Sequence, residues 1–359
     1  MAKNIVLCLD GTGNQIKARG TSNVVNLYEM LDLSDPDRQV AFYDPGVGTF
    51  GAQGAWTSWG RVLTKLLGLT FGFGIKVNMA EAYTYLMQHY EPGDRVFVFG
   101  FSRGAYTARA LVGMSHRGGL MRRGAENLVN YLVSTYTKGR NWNDDDWDRI
   151  DRFASAFSVE TDGSLSLPVH FLGLWDSVKA LGLLRWNPQW LYTRTLPNAP
   201  VIRHAVSIDE RRRPYREYLV DPSQKPDLRE VWFAGVHSDV GGGFKDNVEL
   251  SVVSLKWMTD RALEEGLLLR PRAYAKACKL EATHAGGKVH KAGLIWAILT
   301  FRTRAVEAFR SGSGATADPR IHQSVKDRMN SDPTYKVTVD QARIQWDDPD
   351  YLKPHPKAP

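Results

Sequence analysis

The chain has 359 residues, 43% hydrophobic and 24% charged, enough apolar residues and length to bury a sizeable core. Its 46 Lys and Arg against 39 Asp and Glu give a net charge of +7, which favours anionic partners, but the basic residues gather only at Arg211-Arg212-Arg213 and no zinc-finger or RNA-binding signature accompanies them, so nucleic acid is not expected as a partner. Two cysteines, Cys8 and Cys278, exclude a disulfide-rich scaffold and fit a reducing compartment.

The apolar run at 5–9 is too short for a secretory signal and has no cleavage site, so the expectation is a cytoplasmic protein or one exported without a Sec-type signal. Nothing reaches the length of a membrane span. Short apolar runs then recur, each closed by a turn: NIVLCLD at 4–10, QVAFYD at 39–44, RVFVFGFS at 95–102, PVHFLGLWD at 168–176, IRHAVSID at 202–209 and EVWFAGVH at 230–237. Runs of this length, rich in β-branched and aromatic residues, suit strands buried on both faces. Helical spacing marks 78–89, which stops before Pro92-Gly93, and 105–114. Strands alternating with helices predict an α/β fold with a doubly wound, mostly parallel sheet. One domain is expected over 1–345, followed by a tail at 346–359 whose prolines point to disorder.

Three stretches stand outside this pattern: the Gly- and aromatic-rich 50–75, the polar 115–165 with its acidic patch at 144–146, and 267–315 with the apolar GLIWAILTF at 293–301. Such excursions at strand ends commonly build a cap or substrate pocket, and each would equally serve as packing against the sheet.

The chemistry centres on Gly100-Phe101-Ser102-Arg103-Gly104, a G-x-S-x-G between an apolar run and a helix-like stretch. The pattern alone is weak, but strand, elbow and helix in sequence are the context that gives it meaning. A serine on such a turn needs a base and an acid to orient that base. Of nine histidines, His237 follows a strong strand and enters a glycine-rich loop at 238–243, whereas His170 and His204 fall at strand starts or interiors. Asp176 ends the strand after the nucleophile and is the favoured acid; Asp209 is second, with Glu210-Arg211 beside it as an alternative ion pair. Asp239 stands too near His237 in sequence to orient its ring. For the oxyanion hole the candidates are the N–H of Arg103 and those of Gly11 and Thr12, in the Asp-Gly-Thr-Gly-Asn loop at 10–14. That loop would also suit a phosphate, making a nucleotide-, phosphate- or nucleic-acid-binding module that uses the loop and the basic surface, or a non-catalytic interaction protein, the alternative functions. Asp10 and Asp239 together leave room for a cation, although no metal or cofactor is required.

LCLDGTGN at 7–14, FYDPGVGT at 42–49, FGFSRGAYTAR at 99–109, FLGLWDSV at 171–178, SIDERR at 207–212 and WFAGVHSDVGGG at 232–243 follow one another in an order that resembles the α/β-hydrolase catalytic domain of type VI secretion phospholipase effectors. The resemblance runs from about residue 3 to IHQSVKDRM at 321–329. It implies Ser102 as nucleophile, His237 as base, Asp176 as acid and an acyl-ester or phospholipid substrate. It also fits a membrane-surface role for Trp56, Trp59, Leu66, Leu67, Leu69, Phe71 and Phe73, which would form an interfacial face or pack on the sheet.

Overall fold

In the computed structural model, residues 2–11, 20–46, 63–139, 142–161, 163–179, 190–224, 226–291, 303–307 and 318–358 are described. The apolar runs become strands β1 (Asn4–Leu9), β2 (Gln39–Asp44) and β3 (Arg95–Phe101), then β6 (Phe171–Trp175), β7 (Val201–Ser207) and β8 (Asp227–Phe233). Two short strands, β4 (Leu120–Met121) and β5 (Ser158–Val159), pair antiparallel outside the main sheet. The strands β9 (Arg320–His322) and β10 (Gln345–Asp347) complete an eight-stranded sheet in the order β2-β1-β3-β6-β7-β8-β9-β10, parallel at every pairing.

Alternate side chains of a strand point to opposite faces, and β1 feeds two cores in this way. Ile5, Leu7 and Leu9 join one core, and Val6 and Cys8 the other. The first is covered by α2 (Leu63–His89), α3 (Arg103–Gly118), α4 (Val129–Tyr136) and α5 (Asp144–Phe157), through residues such as Met79, Leu111, Leu132 and Ile150. The second lies under α1 (Asn23–Met30), α7 (Glu249–Glu264) and α8 (Pro271–Ala277), with Leu27, Trp257 and Tyr274. Two further helices, α6 (His237–Gly241) and α9 (Gln323–Ser331), flank the later strands. The sheet is doubly wound, as the alternation of elements predicts. Because β2 and β3 lie on opposite sides of β1, the winding reverses beside β1, and the carboxyl ends of the strands there form the crevice where such sheets bind ligands.

Three expectations need adjusting. The helix foreseen at 78–89 begins at Leu63, so part of the 50–75 excursion is helix, while 47–62 lies outside the described residues. The acidic patch at 144–146 is the first turn of α5: Asn143 caps the helix, Asp146 returns the bond, and the carboxylates sit at the positive end of the helix dipole. The apolar segment 293–301 also lies outside the described residues. Finally, the expected tail at 346–359 starts inside β10, whose Asp347 accepts from Trp257 Nε1 at 2.9 Å, and Tyr351 is buried with its hydroxyl on Asp327. The prolines near the chain end say nothing against this packing, because they follow the strand.

Candidate active site

In the pairing of β3 with β6, Phe101 lies opposite Trp175. The next residues, Ser102 and Asp176, therefore leave the sheet side by side at its carboxyl end. Both carry positive φ, 60° at Ser102 and 37° at Asp176, a conformation that non-glycine residues hold only where surrounding structure enforces it. The Ser102 N–H donates to Trp175 O at 3.0 Å, and the Asp176 N–H to Ala205 O at 2.7 Å, tying both turns to neighbouring strands.

The flanking glycines are required by contact. A Cβ on Gly104 would lie 2.1 Å from Leu9 O, and one on Gly100 would lie 2.7 Å from the Ala105 Cα and Gly104 O. The start of α3 thus presses directly on the end of β1, leaving no room for a methyl group. Gly104→Ala is expected to cost about 1–3 kcal/mol through overpacking, read as a lowered urea midpoint. A midpoint equal to wild type would mean that the helix start yields freely.

His237 arrives from the far side. After β8 the chain turns through Gly235, at φ 110°, and Val236, and His237 opens α6. Asp239 accepts the Val236 N–H at 2.9 Å and so caps this short helix. The expected loop at 238–243 is accordingly helical as far as Gly241, with positive-φ turns at Gly242 and Gly243. His237 Nε2 lies 2.8 Å from Ser102 Oγ, and its Nδ1 lies 2.6 Å from Asp176 Oδ2. All three side chains are buried. A carboxylate facing Nδ1 can only accept, so the proton belongs on Nδ1 and the Nε2 lone pair faces the serine hydroxyl. The ring lies between Phe101, with centroids 4.6 Å apart, and the edge of Tyr215 at 4.8 Å.

Burial lowers the His237 pKa below the usual histidine value, against the opposing pull of Asp176 and Glu210. Burial pushes the Asp176 pKa up, but the Arg304 guanidinium and the His237 hydrogen bond outweigh it and hold the carboxyl well below the usual carboxylate range. The resting pair is therefore a neutral imidazole beside an ionised carboxylate.

Asp209 is placed elsewhere. Its Oδ2 accepts from the Gly235 N–H at 2.7 Å and the Tyr335 hydroxyl at 2.9 Å, bracing the turn that delivers His237. The ion pair foreseen at Glu210-Arg211 forms instead with Arg212, at 2.7 Å, while Arg211 is exposed. Glu210 also accepts the His237 N–H at 3.2 Å. The N–H of Gly11, the foreseen oxyanion donor, here donates to Asp10 Oδ1 at 2.7 Å. Thr12 lies outside the described residues. Arg103 is the first residue of α3, where backbone N–H groups have no acceptor within the helix. Asp10 also accepts from Ser22 and Tyr43, whereas Asp239 is held by His290 at 2.6 Å, so the two carboxylates serve separate networks.

Two residues stand behind Asp176: Arg304, which the sequence does not single out, and His204, set aside as a base by its place in a strand. Arg304 donates to both oxygens of Asp176, at 2.6 and 3.1 Å. His204 accepts the Ser177 N–H at Nε2, 3.1 Å, while its Nδ1 lies 2.7 Å from Glu230. The second fixes the residue that follows Asp176 and so supports its strained turn.

Residues 3–261 match the family described as the type VI secretion phospholipase effector Tle1-like catalytic domain. The chain belongs to this family. One relative is an uncharacterized protein of Saccharomyces cerevisiae, 35% identical over 228 residues, 61% of this chain and 33% of that protein. Among solved structures, an uncharacterized protein from Pseudomonas aeruginosa is similar at 20% identity and a TM-score of 0.43, over 80% of this chain and 51% of that one. The Tle1 effector bound to the VgrG spike of the type VI secretion system is similar at 20% identity and a TM-score of 0.39, over 68% and 52%. The Tle1-like chain thus spans a third of the curated relative and about half of each solved chain.

Proposed function

We propose that the chain is a serine hydrolase that cleaves a carboxylic ester of a phospholipid or another acyl lipid. Ser102 Oγ attacks the carbonyl carbon and passes its proton to His237 Nε2. The imidazolium so formed is stabilised by Asp176 and returns the proton to the departing alkoxide, leaving an acyl group on Ser102. Water then attacks the acyl-enzyme and gives a proton to His237, which passes it to the departing Ser102 Oγ, releasing the carboxylic acid and restoring the hydroxyl. The Arg103 N–H, following the nucleophile at the positive end of α3, serves as an oxyanion donor, an interaction worth about 3–4 kcal/mol in the transition state.

The observation that carries this reading is the unbroken line of contacts, Ser102 Oγ to His237 Nε2 at 2.8 Å and Nδ1 to Asp176 at 2.6 Å, on a strained turn between strand and helix. Family membership supports the lipid substrate. Exposed Arg211, Arg213 and Arg216, on the turn that carries Tyr215, fit an anionic membrane surface as the place where that substrate is met.

A fluorophosphonate probe is expected to label the wild type and leave Ser102→Ala unmarked. Because the His237 pKa is lowered, labelling should persist to pH values below the usual histidine pKa near 6.5 before failing as the imidazole takes a proton. Equal labelling of both proteins would sink the assignment of Ser102. Nitrophenyl esters and phospholipids of graded chain length then separate a lipid pocket from a short-ester one.

A further inference from the structure

Arg304 lies beyond the last residue of the family match, yet it is among the most tightly held side chains near the site. Besides both Asp176 oxygens, its guanidinium reaches Ser207 O at 2.9 Å, Ser207 Oγ at 2.7 Å and the carbonyl of Tyr215. Its Nε lies 3.6 Å from the Glu217 carboxylate. A guanidinium is a flat fork, and a carboxylate gripped on both oxygens loses freedom to rotate about its own axis. The Ser207 N–H, 3.0 Å from Asp176 Oδ1, completes that grip.

We propose that Arg304 is a positioning residue of the site, which fixes the plane of the Asp176 carboxylate for His237 and offsets part of its charge, keeping the resting imidazole neutral. The proposal rests on the serine-hydrolase reading and extends it. An Asp176 without a counter-charge, in a buried setting, would pull a proton onto the imidazole and leave the base occupied before substrate arrives. The charges facing His237 come from several elements: Asp176 at the end of β6, Arg304 from 303–307, Glu210 and Arg212 from the turn after β7, and Tyr215 beyond them. Arg103 opens α3 beside Ser102, and Asp239, on the helix of His237 itself, is paired with His290. The two carboxylates that touch His237 are each matched by a guanidinium, Asp176 by Arg304 and Glu210 by Arg212. The competing explanation is purely architectural: Arg304 would do no more than fasten residues 303–307 to β7 and the turn at Tyr215.

The two explanations separate in the titration of His237. An NMR titration of its ring needs no turnover, so it is informative even if the wild type proves inactive. In Arg304→Gln the ring is expected to hold its proton to higher pH than in wild type. In Glu210→Gln, which removes a negative charge, the shift should run the other way. With an ester substrate, Arg304→Gln should lose up to about 100-fold in kcat through misplacement of the relay, and the acid limb of kcat/KM should move to higher pH. Arg304→Lys keeps the charge without the fork, so it should leave the titration near wild type while kcat still falls. A His237 titration unmoved or shifted downward in Arg304→Gln overturns the charge role. A wild-type kcat in Arg304→Lys overturns the clamp. Failure of the wild type to take a fluorophosphonate would instead count against the hydrolase itself.

Discussion

Removing the Ser102 hydroxyl or the His237 imidazole is expected to lower kcat on an acyl ester by on the order of 10⁶-fold, and removing both should cost no more than either alone. The reason is geometric. The hydroxyl is a poor nucleophile until its proton has somewhere to go, and the only basic nitrogen within reach among the described residues is His237 Nε2, 2.8 Å away. The imidazole contributes nothing once the hydroxyl is gone. The residual rate in each variant would come from binding and the oxyanion donor, which neither substitution touches. The measurement is steady-state hydrolysis of one ester by Ser102→Ala, His237→Ala and the double variant. Losses that multiply would mean that the two residues act in separate steps, and the relay would have to be abandoned.

The strands that carry this relay are legible because each is a buried parallel strand with a near-continuous apolar run and a polar turn after it. The turn residues Ser102, Asp176 and His237 could therefore be placed at one end of the sheet before any contact was known. Between Asp176 and Asp209 the sequence alone has weaker grounds, since both end a strand. Pairing separates the two in space: β6 lies directly against β3, so Asp176 emerges beside Ser102, whereas Asp209 accepts from the Gly235 turn and Tyr335. Gly11 illustrates a different limit, since a backbone N–H can be claimed by the side chain immediately before it. β9 and β10 are three residues each and largely polar, too short for any period to show. Arg304 lies in no regular element, and its meaning comes wholly from the carboxylate it meets 128 positions earlier. Long-range convergence of that kind has no local sequence signal.

Asp176→Asn should combine two losses that a simple relay would keep apart. In the wild type, Asp176 Oδ1 accepts from the Ser207 N–H and Arg304, and Oδ2 faces His237 Nδ1 and the second Arg304 nitrogen. The asparagine carbonyl must take the place of Oδ1, because only donors surround it. Its amide then points hydrogens at His237 Nδ1, which forces the ring proton onto Nε2 and leaves no lone pair for Ser102. That tautomer alone is expected to lower kcat by about 10⁴-fold. The second loss is in stability. Arg304 would keep its charge in a buried site with Glu217, at 3.6 Å, as its remaining carboxylate neighbour among the described residues, and breaking one side of a buried pair costs about 3–5 kcal/mol. Urea unfolding of Asp176→Asn, Arg304→Gln and the double variant tests this directly. The double variant should recover much of the lost stability and none of the activity, because the stranded charge is gone while the wrong tautomer remains. Single substitutions whose destabilisations simply add would show that the two side chains do not share their energy, and the pairing seen at 2.6 Å would carry no stability of its own.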